Sequence, residues 1–358
     1  MSSQTMNLLL KFIFLFLITE LSKIDCWETR SCGTNPSCEF KQTFLSQITA
    51  QKFPKHCSTI CGFLIIQKTD LNAEELTGLF KNIRILVGGL QIVGTKLENL
   101  KFLAGLRRFV QDNRYGFSSE RFKITYNPEL RELGLLNLTT IKSRSLYIAN
   151  NEKLEKLNLP KLEVAKCLRN NCTIRVSIKT NASKFCITLK ELNAFTKKRN
   201  KCDLNIDSGI CIPENEPRVC TVPTEGCERL IGDLNITKGF DVRKVESLKR
   251  LYGTLNITNT DFTDFRFLGN LTRIVRLGYK TALVVVGNKL LRNMEFPKLR
   301  RIDSEIRRFA HFADNSEASH ADFKSCYALR KAALQKGGLW QQFGDGRSCE
   351  QIEFPPTR

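Results

Sequence analysis

Histidine side chains carry much of the acid–base and metal chemistry of proteins, and this chain of 358 residues has only three of them. They are His56, His311 and His320. None lies in a His-Glu-x-x-His zinc motif, and none accompanies a Gly-x-Ser-x-Gly nucleophile turn. We therefore interpret all three as surface histidines and not as catalytic or metal-binding residues.

Two further patterns come close to known chemistry without matching it. The stretch 89–96 has the glycine spacing of a phosphate-binding loop, but Thr95 and Lys96 stand in the reverse order. No pair of carboxylates is placed for acid–base hydrolysis, which weighs against the alternative of a carbohydrate-active enzyme. The sequence thus predicts a protein that is not an enzyme and that needs no cofactor or metal.

The fourteen cysteines are an even number, and they are too many for an ordinary cytosolic protein. The spacings Cys57-x3-Cys61 and Cys167-x4-Cys172 would also suit a metal, but no second matched pair accompanies them, so disulfides are favoured. The apolar stretch 8–18 has the length of a signal-peptide core, and no later segment has the length of a membrane span. We expect residues 1–25 to be a signal peptide and the mature protein to be secreted.

The formal net charge of the chain is +20. Export argues against nucleic acid as a partner, so the charge points to acidic surfaces outside the cell, such as glycosaminoglycans. The candidate contacts are basic pairs and runs: Arg107-Arg108, Lys197-Lys198-Arg199, Arg300-Arg301 and Arg307-Arg308. These charges are dispersed and are not interleaved with aromatic residues, so the simpler interpretation is a solvated surface.

Six Asn-x-Ser/Thr sequons agree with an exported glycoprotein. Their asparagines are Asn137, Asn171, Asn181, Asn235, Asn256 and Asn270.

One short motif, Gly-x-Leu-x-Ile, occurs four times, starting at Gly62, Gly88, Gly232 and Gly253. The alternation predicts a short strand whose Leu and Ile side chains point inward, with the glycine at the turn before it. Neighbouring copies are 26 and 21 residues apart, which suits the repeats of a solenoid.

A longer pattern of apolar residues around an asparagine occurs three times, at Asn127, Asn151 and Asn288. In leucine-rich repeats such apolar residues fill a stacked core, and the asparagine sits at a bend where its amide bonds neighbouring backbone. The two motifs follow one another in the same order in two halves of the chain, which indicates a tandem duplication. In each half a helical pattern follows the first strand, at 72–83 and at 241–251.

These motifs resemble the receptor L domains of the insulin and epidermal-growth-factor receptors, and more closely the secreted or membrane-bound nematode proteins that carry two such domains. The resemblance rests on Gly-x-Leu-x-Ile, on the Phe-Leu segments at 102–106 and 267–271, and on the asparagine repeats. It implies an α/β solenoid of two tandem receptor L domains. Each would be a short right-handed β-helix, similar to leucine-rich repeats, with a capping helix and disulfides.

The resemblance divides the chain into six parts. We expect a signal peptide at 1–25, a cysteine-containing N-terminal segment at 26–56, a first L domain at 57–202, a cysteine-containing linker at 203–219, a second L domain at 220–349 and a C-terminal tail at 350–358. By position, a disulfide between Cys326 and Cys349 closes the second domain. Cys186 occupies the place equivalent to Cys326, so Cys186 with Cys202 is the candidate for the first domain.

Strand parity predicts an exposed face on the first domain, because the residues between the inward Leu and Ile side chains point outward. The outward residues are Phe63, Ile65, Gln91, Lys123, Thr125 and Tyr147. In the second domain Asn235 and Asn256 share one outward position on neighbouring repeats, so glycans there would obstruct that face. We expect the first face to bind protein; the alternative is that segment 26–56 covers it.

The resemblance implies binding and not catalysis. The preferred hypothesis is a secreted protein that binds an extracellular polypeptide, a growth factor or a receptor ectodomain, and so modulates signalling. The alternative is a matrix or cell-surface protein that binds anionic glycans through its basic surface.

Overall fold

The structure is a computed structural model that describes residues 32, 35–68, 70–115, 121–168, 172–180, 182–197, 202–304, 309–320, 322–333 and 349–353. The expected signal peptide at 1–25 and the sequons at Asn171 and Asn181 lie outside these residues.

The first half of the chain forms strands that pair in parallel. They are β1 (Glu39–Phe40), β2 (Thr59–Gln67), β3 (Ile85–Val93), β4 (Arg108–Gln111), β5 (Phe122–Thr125), β6 (Thr140–Lys142), β7 (Ser145–Ala149), β8 (Val164–Lys166), β9 (Ile174–Lys179), β10 (Cys186–Ile187), β11 (Cys202–Asp207) and β12 (Gly209–Ile210). Strand β3 joins two arms of one sheet, because its first part pairs with β4 and its second part with β5. One arm continues as β5-β7-β9-β11 and the other as β4-β6-β8.

The second half of the chain repeats this arrangement with two separate parallel sheets. Its strands are β13 (Val219–Cys220), β14 (Arg229–Ile231), β15 (Leu234–Ile236), β16 (Arg250–Tyr252), β17 (Leu255–Thr258), β18 (Arg273–Arg276), β19 (Leu283–Val286), β20 (Arg301–Ser304) and β21 (Ala310–Ala313). One sheet has the order β13-β14-β16-β18-β20 and the other β15-β17-β19-β21. Within each sheet from β14 or β15 onward, a strand pairs with the equivalent strand of the next repeat, which places the repeats side by side.

Short helices accompany the strands. They are α1 (Gln47–Ala50), α2 (Ala73–Phe80), α3 (Leu189–Phe195), α4 (Glu317–His320), α5 (Phe323–Ala333) and α6 (Cys349–Glu353). Helix α2 confirms the pattern at 72–83: the Asn72 side chain caps its first turn, and Leu76, Leu79 and Phe80 are buried.

The helix expected at 241–251 is wrong, because this segment forms only a 3-10 turn at Val242–Lys244. The connection from β15 to β16 covers 237–249, whereas the connection from β2 to β3 covers 68–84 and is four residues longer. Four residues are about one turn of α-helix, so the shorter connection has no room for a comparable helix.

The motif glycines lie at the corner between two sheets. Gly62 and Gly88 have φ of 148° and 136°, and strand residues both precede and follow them. A Cβ atom on Gly88 would lie 1.9 Å from the Gly62 carbonyl oxygen, and one on Gly253 would lie 2.1 Å from the Gly232 oxygen. The expected turn before the strand is therefore a bend within a continuous path of strand. Glycine is required there because the backbone of one corner directly contacts the backbone of the corner in the neighbouring repeat, which leaves no space for a side chain.

The asparagine motif behaves as the sequence predicts. Asn127 is fully buried, its Nδ2 donates to the carbonyl oxygens of Ile92 and Thr125, and its Oδ1 accepts from Thr95. Its backbone N–H and its Nδ2 also donate to Asn151 Oδ1. In the second half, Thr260, Asn288 and Asn315 form the equivalent column.

Six disulfides join cysteines that are close in sequence. They are Cys32–Cys61, Cys38–Cys57, Cys167–Cys172, Cys186–Cys211, Cys220–Cys227 and Cys326–Cys349. The expected Cys326–Cys349 bond is present. Cys186 is bonded to Cys211 and not to Cys202: Cys186 lies on β10, which pairs with β12 just before Cys211, whereas Cys202 begins β11 and pairs with Ile174 of β9.

Three contacts lie at the expected domain boundaries. Strand β11 pairs with β9 over six residues, from Cys202 to Asp207. Strand β1 pairs with β2, which joins the described part of segment 26–56 to the strands that follow it. Residues 350–353 continue helix α6, where Tyr327 donates to Glu353.

Candidate functional site: the outward face of the first domain

Four of the six residues expected on the exposed face form one row across the sheet. Ile65, Gln91, Lys123 and Tyr147 are consecutive register partners on β2, β3, β5 and β7. All four side chains are half-buried. Neighbouring strands lie about 4.8 Å apart, so the row brings these four side chains into contact distance.

Lys123 and Tyr147 interact within this row. The Lys123 Nζ atom lies 5.7 Å from the centroid of the Tyr147 ring. A cation at this distance from an aromatic ring is attracted to it, so the pair presents a positive charge and an aromatic ring together.

A second row contains Phe63, which is also half-buried. Its register partner is Gly89, and a Cβ atom there would lie 1.9 Å from the Phe63 ring. The ring therefore lies over Gly89, and the Arg121 guanidinium on its other side is 5.3 Å from the ring centroid. Burial lowers the pKa of Arg121, whose Nη1 donates to the Tyr115 carbonyl oxygen.

Thr125 does not belong to the exposed face, because its side chain is fully buried. It is the last residue of β5, and the next residue, Tyr126, has a φ of 57°. The Thr125 carbonyl oxygen accepts from Gly94 N and from Asn127 Nδ2. Parity predicts direction only while a strand continues, and here the chain turns into the asparagine column.

The described part of segment 26–56 lies beside β2. Leu45 N donates to the Ile65 carbonyl oxygen and Ile65 N donates to the Thr43 oxygen, both at 2.9 Å. This pairing puts Phe44, which is 57% exposed, at the end of the row that contains Lys123 and Tyr147. Residues 43–45 thus lengthen the face at its β2 edge.

Sequence reasoning missed Phe44 and Arg121. Arg121 is two residues before Lys123, so the same parity argument would have placed it on the face. Phe44 carried no comparable signal, because its position depends on segment 35–56 pairing with β2.

The corresponding face of the second domain carries the sequon asparagines. Asn235, Asn256, Val284 and His311 are consecutive register partners, as expected for the first two. Asn256 Nδ2 donates to Asn235 Oδ1 at 2.7 Å.

Two other sequon asparagines lie on the connections between strands. Asn137 Nδ2 donates to the Ala104 carbonyl oxygen, and Asn270 Nδ2 donates to the Glu246 oxygen. In each case a lysine one repeat later, Lys161 or Lys298, donates to the asparagine Oδ1. The two halves therefore share this arrangement.

Cys38, His56 and Cys57 place three potential metal-ligand atoms, two sulfurs and one imidazole nitrogen, within 4.8 Å of one another. Cys38 and Cys57 are joined by a disulfide, so neither sulfur is a thiolate that would bind a metal. The group is better explained by the disulfide that holds the N-terminal segment.

Comparison with protein families decides the assignment of the fold. The sequence profile of the receptor L domain family matches residues 56–158 and 226–330, which together are more than half of the chain. The protein belongs to the receptor L domain family. Receptor L domains are extracellular binding domains, and the six disulfides fit that location. No individual curated protein matches the chain.

The first matched region contains strands β2 to β7 and the second contains strands β14 to β21, so each match falls on one of the two sets of parallel strands. Among the helices that the structure describes, none is both long and apolar enough to cross a lipid bilayer.

Proposed function

We propose that this L-domain protein is secreted and binds an extracellular polypeptide, a growth factor or a receptor ectodomain, through the outward face of its first domain. Binding would modulate signalling without catalysis. The observation that carries the proposal is the row Phe44, Ile65, Gln91, Lys123 and Tyr147, which combines apolar, aromatic and cationic side chains that are half-buried or, for Phe44, exposed. Such combinations are enriched in protein interfaces.

The two domains differ in what they offer a partner. The row in the second domain begins with Asn235 and Asn256, and glycans on these asparagines would cover the neighbouring Val284. The row in the first domain contains no sequon asparagine. This difference favours the first domain as the binding site.

The finer architecture of each L domain is part of the proposal. Parallel pairing between equivalent strands of successive repeats supports a short right-handed β-helix. The expected signal peptide at 1–25 supports export of the chain.

Affinity capture from extracellular fluid tests the proposed function. The secreted protein would be incubated with medium from cells of the same source, washed at physiological and at high salt, and the bound proteins identified by mass spectrometry. We expect a growth factor or receptor ectodomain to remain bound at high salt. If no polypeptide binds at either salt concentration, the proposed function is wrong.

The binding face is tested with the polypeptide that capture identifies. The double variant Phe63→Ala/Tyr147→Ala should weaken its affinity about tenfold or more, because aromatic side chains dominate interface energies. The matched control is Val284→Ala/His311→Ala on the equivalent face of the second domain, which should bind like the unmodified protein. If all three proteins bound the polypeptide with equal affinity, the outward face of the first domain would not be its binding site.

A second candidate function rests on the net charge of +20. Anionic glycans would then bind the basic surface, and salt would weaken the interaction. Retention on heparin that is lost at moderate salt, together with no captured polypeptide, would favour this function.

A further inference from the structure

The outer side of the sheet β14-β16-β18-β20 carries one arginine on each strand. Arg229, Arg250, Arg273 and Arg301 are consecutive register partners. Like charges on adjacent strands repel one another, so such a column, hereafter the arginine column, needs compensating groups.

One buried carboxylate supplies part of this compensation. Asp303 accepts from Arg273 Nη2 at 2.7 Å and from Arg301 Nε at 2.9 Å. All three side chains are largely withdrawn from solvent. Burial lowers the pKa of the Arg273 guanidinium, although the Asp303 charge opposes this effect. Two arginines share this one carboxylate, so the Asp303 cluster retains positive charge.

The first domain supplies partners for Arg301 and Arg250, whereas Arg229 donates to Glu216 Oε1 and to the Pro217 carbonyl oxygen in the segment between the domains. Arg301 Nη1 donates to the Thr196 carbonyl oxygen at 3.0 Å, at the C-terminal end of helix α3. Carbonyl groups at that end of a helix are free to accept and carry partial negative charge. Arg250 Nη1 lies 3.5 Å from Asn193 Oδ1 on the same helix.

Apolar contacts and a backbone hydrogen bond accompany the arginines. Tyr252 and Val275 lie two residues after Arg250 and Arg273, on the same side of the sheet, and both are buried in the hydrophobic core of the first domain together with Leu277. Gly278 N donates to the Ile206 carbonyl oxygen of β11 at 3.1 Å. The second domain therefore completes the core of the first.

No disulfide connects the two domains across the segment 212–219. The four cysteines that follow it are all bonded among themselves, as Cys220–Cys227 and Cys326–Cys349. The peptide chain and the contacts described above hold the domains together.

We propose that the arginine column is a docking surface, specific for the end of helix α3 and the apolar residues beside it, and that it holds the two L domains together even when the linker is cut. The protein is then one binding unit whose two outward faces keep a fixed relation. A partner does not enter between the domains at this surface. This inference does not depend on the identity of any partner.

Cleavage of the linker in the folded protein tests the proposal. A recognition sequence for a specific protease is inserted between Glu214 and Asn215, and the purified full-length chain is cleaved under native conditions. We expect the two halves to elute together in size-exclusion chromatography at low micromolar concentration and physiological salt. Halves that elute separately would overturn the proposal, and this result would leave the proposed binding face untouched.

A matched pair of variants tests the role of the arginine column. In the cleavable protein, Arg301→Met removes the contacts with Thr196 and Asp303, and Arg266→Met removes an exposed arginine that pairs with Asp264. Loss of a buried charged hydrogen bond should weaken the association of the halves about tenfold or more, whereas the control should not change it. Equal association of both variants would overturn the role of Arg301.

A variant at a second site on the interface tests the proposal even if the Arg301→Met variant misfolds. Leu277→Asp places a charge against the core of the first domain and leaves every arginine in place. It should also separate the halves, and hydrogen exchange within β17 and β19 should stay slow if the second domain remains folded. Association as tight as in the unmodified cleaved protein would contradict the proposed docking surface.

Discussion

Tyr126 holds a backbone conformation that tyrosine rarely adopts. Its φ is 57°, and its side chain is 60% exposed. The residues that end the equivalent strands with positive φ are mostly glycine, asparagine or aspartate: Gly94, Asn150, Asn259, Gly287 and Asp314. The left-handed backbone conformation has a lower free-energy cost for glycine, asparagine and aspartate than for tyrosine, so tyrosine destabilises the fold at this position.

We predict that Tyr126→Asn stabilises the protein by about 1 kcal/mol, because asparagine tolerates the left-handed conformation. Urea unfolding followed by circular dichroism measures the change. Tyr126→Phe is the control, since it keeps the same backbone cost and should leave the midpoint unchanged. A lower midpoint for the asparagine variant would show that contacts of the ring outweigh the backbone cost.

Glu132 links three repeats through its carboxylate. Lys101 Nζ lies 3.0 Å from one oxygen, and Asn158 Nδ2 donates to the other at 2.9 Å. Burial alone would raise the pKa of Glu132, but the hydrogen bonds from Lys101 and Asn158 outweigh it and hold this pKa below its usual value. The ionised form is therefore favoured in the folded protein.

We predict that Glu132→Gln lowers the free energy of unfolding by about 1 kcal/mol at pH 7. A depressed folded-state pKa contributes stability above the unfolded-state pKa and loses it as the pH falls through the folded-state pKa. The difference between the variant and the unmodified protein should thus shrink below about pH 4. Denaturant titrations between pH 3 and pH 7 measure it, with Glu129→Gln at the exposed Lys153 pair as the control.

At the level of elements, the glycine corners decide whether neighbouring repeats stack. The Gly88 corner has no space for a side chain, because the nearest atom to an added Cβ is the backbone oxygen of Gly62. Backbone of an adjacent repeat does not move aside as a flexible side chain does. Strand β3, which joins the two arms of the first sheet at this corner, depends on this contact.

We predict that Gly88→Ala destabilises the first domain by about 3 kcal/mol through the clash and the unfavourable φ. Gly78→Ala in helix α2 is the matched control, since nothing lies within 4 Å of its added Cβ. Alanine is a better helix former than glycine, so the control should be neutral or stabilising by up to about 1 kcal/mol. Chemical denaturation of both variants checks the prediction, which fails if Gly88→Ala is as stable as the control.

Sequence patterns predicted the elements that depend on local periodicity. Leu-x-Ile alternation identified the parallel strands, and the spacing of Asn127 and Asn151 identified the buried amide column, because each repeat makes the same contacts as the next. The same patterns misplaced Thr125, because β5 ends there, and wrongly predicted a helix at 241–251, because that connection is shorter than its counterpart in the first half. The end of a strand and the length of a connection are set by the packing around them and not by local periodicity.

At the scale of the whole molecule, the arginine column had no sequence signal of its own. The sequence suggested that Arg301 belongs to a solvated basic pair or to a glycan-binding run, but Arg301 is buried. Residues 229, 250, 273 and 301 are far apart in the chain, and only the register of the sheet brings them together. The row Ile65, Gln91, Lys123 and Tyr147 was predictable because all its members lie within recognisable strand motifs.

We predict that the intact protein unfolds in a single calorimetric transition, because separation of the domains would expose Tyr252, Val275 and Leu277 to water. Arg301→Met should divide this transition into two, whereas Arg266→Met should not. Differential scanning calorimetry under non-reducing conditions measures the number of transitions. Two transitions in the unmodified protein would mean that the interface is too weak to couple the domains.

The short reach of the disulfides has a consequence for biosynthesis. In each of the six described bonds the two cysteines are separated by at most 29 residues, and none of these six bonds joins the first domain to the second. At about 5–20 residues per second, a ribosome adds 29 residues within a few seconds. The five described bonds that end at or before Cys227 can therefore form while translation continues, as their cysteines emerge.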